Sequence, residues 1–398
     1  MNIIDYVEKN GIHDFSKHPF NEVDGLVLSQ LSYLKFEGII IGPSHDDKGT
    51  ILSSIIDNPK YEELYRDERY EPNNRRFFEA LCASKRFGTL ILNNFIDVID
   101  EGVDVQFSAM TVTDGKNFRA VVFRGTDDNM VGWKEDLNMT FKTPIPAQKY
   151  SVDYLEKVAS KCDDSFYVMG HSKGGNLAVY SSMNCSNEVR DRIINIYSYD
   201  GPGFRTELLH NSCYDKVKDR IHKLVPKACV IGMFGNVEKI EVVDCVGIGG
   251  VIQHNPYNWV VRGSGFKRTE HMGRYSELKA EAVNMWASEM TNEQWALLSD
   301  KLFGVLEDAG ITNLNEFYGD FFGTMAKVKA SADKLDEDSR GKIGTMLSMF
   351  KESASIVAKE EAKSGMMVAS KNITHAKEVA EGKIHTARNK AGRIKHKK

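Results

Sequence analysis

The sequence predicts an α/β fold: a mostly parallel central sheet flanked by helices, with a helical segment before it and a helical extension after it. Three observations lead there. Short runs of β-branched and aromatic residues recur through the middle of the chain, at 106–112, 118–123, 166–169, 193–199 and 221–225. One of these runs passes through a glycine-rich turn, Gly170-His171-Ser172-Lys173-Gly174-Gly175, into a helix-forming stretch. Both ends of the chain instead place apolar residues at helical spacing.

Composition bounds the answer. At 398 residues the chain can bury a large core and hold more than one domain. It is 27% charged and 41% hydrophobic, as globular chains are, and its net charge of −4 argues against a general nucleic-acid binder. The six cysteines are scattered and form no C-x-x-C, so they read as buried reduced thiols in a cytoplasmic protein. Met1-Asn2-Ile3-Ile4-Asp5-Tyr6 has neither the basic start nor the apolar core of a signal peptide, and no apolar run is long enough to span a bilayer. The expected organisation is a helical N-terminal segment packed on the core (1–85), an α/β core (86–285), a helical extension (286–370) and a basic, frayed tail (371–398).

In the N-terminal segment, Val23, Val27, Leu31 and Leu34 mark one helix with a core-packing face. Residues 43–47 read as a turn, and 61–76 as a charged, solvated helix with a loop. The sheet is expected to begin near residue 90. Runs 106–112 and 118–123 form two strands, with Asp114-Gly115 as the hairpin turn between them. The second strand runs into Arg124-Gly125-Thr126-Asp127-Asp128, which offers free backbone N–H groups at the carboxyl edge of the sheet, where open α/β sheets bind ligands.

The 166–169 strand then reaches Gly170-x-Ser172-x-Gly174. Strand, glycine-flanked serine and helix together are what a nucleophile elbow requires. The turn is so tight that the residues two positions either side of the serine must lack a Cβ. A phosphate loop is set aside, because Lys173 precedes the glycines. The plainer alternative is a glycine-rich turn with an idle serine. Acyl transfer at Ser172 would need two N–H donors for the developing oxyanion. The Lys173 amide directly follows the nucleophile, and Thr126, after an earlier strand, is the best second donor.

The strings that surround these residues resemble a known family. Phe123-Arg124-Gly125-Thr126, then Trp133 and Asp136, then Gly-His-Ser-x-Gly-Gly, resemble the class 3 lipases, the fungal-type α/β-hydrolases. Arg124 to Asp128, Gly132 to Asp136, Gly170 to Asn176, Asp200 to Phe204 and Gln253-His254-Asn255-Pro256 are closer still to a bacterial branch of that group, the Mbeg-like proteins. The likeness covers roughly residues 20–265. It implies an α/β-hydrolase fold and ester hydrolysis, with an acyl ester of some lipid character as substrate and no metal or organic cofactor.

The acid is where the sequence departs from that pattern. Class 3 lipases place it after the strand that here is 221–225, yet Pro226-Lys227-Ala228 offers no carboxylate. Asp200, one strand earlier and followed by a rigid Gly-Pro-Gly turn, is the substitute, with Asp244 as a weaker rival; Asp200 could equally serve its own turn alone. Of His210, His222, His254 and His271, His254 lies in a loop-forming context and on the family's Gln-His motif, so it is the expected base. The set is thus Ser172, His254 and Asp200, with Thr126 and Lys173 as oxyanion donors. A non-catalytic scaffold on the same fold, or a thioesterase or peptidase with the same machinery, remain open.

Beyond Trp259-Val260-Val261 the chain is expected to turn helical. Thr291 to Gln294 is a capping box, followed by the stripe Trp295, Leu298, Leu302 and Val305, closing near Gly310. Ile343, Met346, Leu347, Phe350, Ala354 and Val357 imply another helix. The tail holds seven Lys and two Arg against two Glu, which reads as a solvated end with at most weak attraction to an anionic membrane, about 1 kcal/mol per basic residue near the surface.

Overall fold

The computed structural model describes residues 1–40, 48–66, 71–127, 129–139, 141–236, 239–247, 250–311 and 321–345, without the side chains of Val251, Tyr275, Phe321 and Phe322. The expected turn at 43–47, Asp128, the helix stripe beyond Ile343 and the basic tail lie outside these residues.

The protein is built on an eight-stranded sheet whose spatial order is its chain order. The strands are β1 (Thr50–Ile51), β2 (Ile91–Asp100), β3 (Val105–Thr113), β4 (Arg119–Phe123), β5 (Phe166–His171), β6 (Ile193–Tyr199), β7 (Ile221–Pro226) and β8 (Glu241–Val243). Neighbours from β1 to β4 are antiparallel, and those from β4 to β8 are parallel. The β3–β4 hairpin closes at Asp114-Gly115: Gly115 has φ +72°, and Asp114 Oδ1 accepts the N–H groups of Lys116, Asn117 and Phe118.

This order decides where the helices go. Parallel crossovers are right-handed, and here each steps the same way across the sheet, so their helices fall on one face. Helices α5 (Pro146–Ala159) and α6 (Lys173–Asn184) accordingly share a core with Val121, Phe123 and Val168. Side chains alternate along a strand, so Ala120, Val122 and Met169 point to the other face. With no crossover helix there, that face is covered by the N-terminal residues. Helices α1 (Ile3–Asn10), α2 (Glu22–Leu31) and α3 (Glu71–Ala83) bury Ile3, Ile4, Val23, Leu26, Phe77 and Phe78 against it. Both α1 and α2 start at Asn capping boxes, Asn2 with Asp5 and Asn21 with Asp24.

Three expectations are corrected. The sheet does not begin near residue 90: β1 lies within the N-terminal segment expected to be helical, and Thr50 and Ile51 pair antiparallel with Leu92 and Ile91. The chain does not turn helical directly after Val261. A small hairpin, Val261–Arg262 with Gly265–Phe266, comes first, and Phe266 and Trp259 complete the N-terminal core. His254 is not on a loop but is the last residue of a one-turn helix, Gly250–His254, stopped before Pro256. The capping box at Thr291 does open a helix, Asn292–Asp308, with Trp295, Leu298, Leu302 and Val305 buried and Gly310 at φ +75° beyond its end. Among the described residues no helix is long and apolar enough to cross a membrane.

Candidate active site

The parallel strands end together at one edge. Phe123 pairs with Gly170, and His171 with Tyr199, so the loops after β4, β5 and β6 emerge side by side. Ser172 stands between β5 and α6 at φ 57° and ψ −131°, a backbone conformation that costs a non-glycine residue about 1–3 kcal/mol. Its amide donates to the Tyr199 carbonyl at 2.9 Å. A Cβ on Gly170 would lie 2.3 Å from the Gly174 carbonyl oxygen, and one on Gly174 would lie 2.2 Å from that of Phe123. The glycines are therefore required by backbone contact, as the sequence pattern implies.

Asp200 follows β6 directly, also at positive φ (50°). It is fully buried and held on three sides. Its amide donates to Leu224 O at 2.8 Å, its Oδ1 accepts from the Gly232 amide at 3.0 Å, and its Oδ2 accepts from His254 Nδ1 at 2.6 Å. Buried Lys223, whose ammonium is pushed down to about 8 by burial, donates to the Gly201 carbonyl and fixes the turn after Asp200. Asp244 instead pairs with Lys227 and Lys267, at 2.5 and 2.7 Å. His222 lies on β7 beside Glu241, 3.6 Å away. After β7, where class 3 lipases carry their acid, this chain places Cys229. Its thiol is buried beside Asp200, within 4.8 Å of the carboxylate, and its sulfur is 3.9 Å from His254 Nδ1. Burial pushes that thiol well above its usual range.

The residue before the serine ties the two halves of the site together. The His171 ring is 4.4 Å from that of His254, centroid to centroid. Its Nε2 is 2.8 Å from the His254 carbonyl, which can only accept, so Nε2 carries the proton. Its Nδ1 therefore accepts from the Tyr33 hydroxyl at 2.9 Å. Burial and the neighbouring His254 hold His171 well below the usual histidine range, in keeping with this neutral tautomer.

The β4 loop lies against the serine. A Cβ on Gly125 would be 2.1 Å from the Tyr33 hydroxyl and 3.0 Å from Ser172 Cβ. Arg124, fully buried, forks onto Asp97 at 2.6 and 2.8 Å and reaches Asp127 at 3.3 Å, which anchors the start of this loop. Thr126 Oγ1 donates to Asp136 Oδ2 at 2.6 Å. Asp136 belongs to α4 (Met130–Asn138), as does Glu135, which holds Lys173. The Lys173 Nζ donates to Glu135 Oε2 at 3.0 Å and to Gln106 O and Oε1 at 2.8 and 2.7 Å. One helix thus braces both residues expected to donate amides. The Lys173 amide lies in the first turn of α6, where N–H groups have no partner within the helix. Burial pushes the Asp136 carboxyl up to about 6, against the pull of Lys173 and Thr126.

The structure therefore brings Asp200 to His254 and sets both beside the elbow, with Thr126 and Lys173 at the same edge. Sequence reasoning missed Tyr33, the ring of His171, Glu135 and Cys229. None carries a local signal: Tyr33 meets His171 across 138 residues of chain. Among the described residues one group could hold a metal ion, Asp200, Cys229 and His254, whose ligand atoms lie within 4.8 Å of one another.

No curated protein matches the chain. Among solved structures it is similar to one titled as the crystal structure of M37 lipase, at 14% identity and a TM-score of 0.33, over 52% of this chain and 68% of that one. The profile of the Mbeg1-like family matches residues 81–304, more than half of the chain, and takes in Thr126, Ser172, Asp200 and His254; the chain belongs to that family.

Proposed function

We propose that the protein is a serine hydrolase that cleaves carboxylic esters through an acyl-enzyme. His254 Nε2 takes the Ser172 proton as Oγ attacks the ester carbonyl. The tetrahedral oxyanion sits against the amides of Thr126 and Lys173, and the alcohol leaves with the proton from His254. Water, activated by the same imidazole, then attacks the acyl-enzyme and releases the acid. Asp200 keeps the proton on Nδ1, so that Nε2 faces the reaction as a lone pair.

The observation that carries this reading is the 2.6 Å hydrogen bond from His254 Nδ1 to a buried carboxylate, beside a serine in a strained elbow. Asp200 reaches His254 from β6, which supports an acid supplied one strand early and weighs against a scaffold. A lipid-like acyl group is proposed from the strings shared with class 3 lipases.

A fluorophosphonate probe tests the proposal. Labelling of the folded protein that disappears in Ser172→Ala is expected, whereas unlabelled wild-type protein would overturn it. Asp200→Asn should lower kcat by about four orders of magnitude through the wrong imidazole tautomer. A panel of esters, thioesters and peptides graded by acyl length separates esterase from thioesterase and peptidase.

A further inference from the structure

We propose that Asp200, Cys229 and His254 form an inhibitory site for a soft divalent cation, Zn2+ by its ligand chemistry. The inhibition rests on His254 being the base of the hydrolase proposed above; the ion site itself does not.

A serine, a histidine and an aspartate suffice for ester hydrolysis, and the Cys229 thiol is left over. It is nevertheless buried against the other two. A carboxylate oxygen, a sulfur and an imidazole nitrogen, all within 4.8 Å of one another, are a zinc ligand set. Tetrahedral bonds of about 2.0–2.3 Å put neighbouring ligand atoms roughly 3.3–3.8 Å apart. The sulfur and Nδ1 already stand at 3.9 Å, and Oδ2 and Nδ1 at 2.6 Å, so the carboxylate and ring must part by only about 1 Å. The other oxygen of Asp200 is held by the Gly232 amide at 3.0 Å, an outer contact of the kind that orients a ligating carboxylate. The ion would enter past the imidazole, the one ligand with exposure (16% of its side chain).

Binding balances as follows. The thiol of Cys229 gives its proton to solvent and ligates as thiolate. Nδ1 of His254 offers its lone pair to the ion, so the single proton of the neutral ring resides on Nε2. One proton leaves per ion bound. An Nε2 that carries a proton cannot accept one from Ser172, and the base is disabled with nothing attached to the serine.

Cadmium reports on the site directly. The full chain is titrated with Cd2+, following sulfur-to-metal charge-transfer absorption, alongside Cys229→Ser, Cys229→Ala and Asp200→Asn, each checked for folding by circular dichroism. One Cys229-dependent ion per chain is expected. The band should be absent in both cysteine variants, and affinity at least about tenfold weaker in Asp200→Asn. Zn2+ should displace Cd2+ and block fluorophosphonate labelling in the wild type. A wild-type protein without the band, or cysteine variants that bind equally through the other five thiols, would overturn the site. A Cys229-dependent band in a protein that no fluorophosphonate labels keeps the ion site and removes the hydrolase reading. Labelling that Zn2+ leaves untouched while Cd2+ binds at Cys229 overturns the inhibition.

Discussion

Lys173→Met tests the bracing of the elbow. The Lys173 side chain is 1% exposed and that of Glu135 is 0% exposed, so the pair is fully removed from water. Methionine matches the length of the lysine stem but takes away the ammonium. Glu135 keeps the amides of Ala147 and Gln106, at 2.8 and 3.2 Å, and loses its counter-charge. Removing one partner of a buried pair typically costs about 3–5 kcal/mol, most of it the penalty of the charge left behind. In urea, with a slope above about 3 kcal/mol per molar for a chain of this size, the unfolding midpoint should fall by on the order of 1 M. Adding Glu135→Gln keeps an acceptor but removes the orphaned charge, and should recover at least half of the loss. Denaturation followed by far-UV circular dichroism reads both numbers. A single variant within about 1 kcal/mol of wild type, or a double variant no better than the single, would refute the idea that this pair acts as a buried charge couple.

Three further outcomes follow from the site. Asp136 faces Lys173, Glu135, His254 and Thr126, and its carboxyl titrates near 6 instead of the ordinary 3.8, so the native state holds this proton longer than the unfolded chain. This group's contribution to stability is therefore largest at low pH and is lost as pH rises from about 4 to 6, by at most about 3 kcal/mol; Asp136→Asn should flatten that slope in urea titrations run across the window. Gly174→Ala would push a methyl to 2.2 Å from the Phe123 carbonyl and should cost more than the usual 1–3 kcal/mol of overpacking, while Gly304→Ala, on a helix with open space around it, should stabilise by about 1 kcal/mol; thermal unfolding of the two ranks them. His171→Phe removes the hydrogen bonds to the Tyr33 hydroxyl and the His254 carbonyl, which should cost about 1–3 kcal/mol of stability in thermal unfolding and, with the hold on His254 gone, lower kcat with KM little changed. Unaltered kcat in a folded His171→Phe protein would free His254 from this clamp.

Much of this molecule could be read in one dimension because the causes are short-range. The elbow at Ser172 is a steric problem among five consecutive residues, and its glycines announce it. The Asp114-Gly115 turn and the Thr291 capping box are likewise local hydrogen-bond solutions, visible wherever their residues stand in order. The choice between Asp200 and Asp244 was not of that kind. Both are carboxylates at strand ends, and only the register of β6, β7 and β8 sends one to His254 and the other to Lys227 and Lys267. The same holds for Tyr33 and Cys229, which reach the site through contacts far apart in the chain. That the first 85 residues pack on the core was legible in the sequence, but which sheet face they cover was decided in three dimensions. Crossovers that all step one way leave a sheet face bare, and the burial of Val122 and Met169 then depends on helices supplied from elsewhere in the chain.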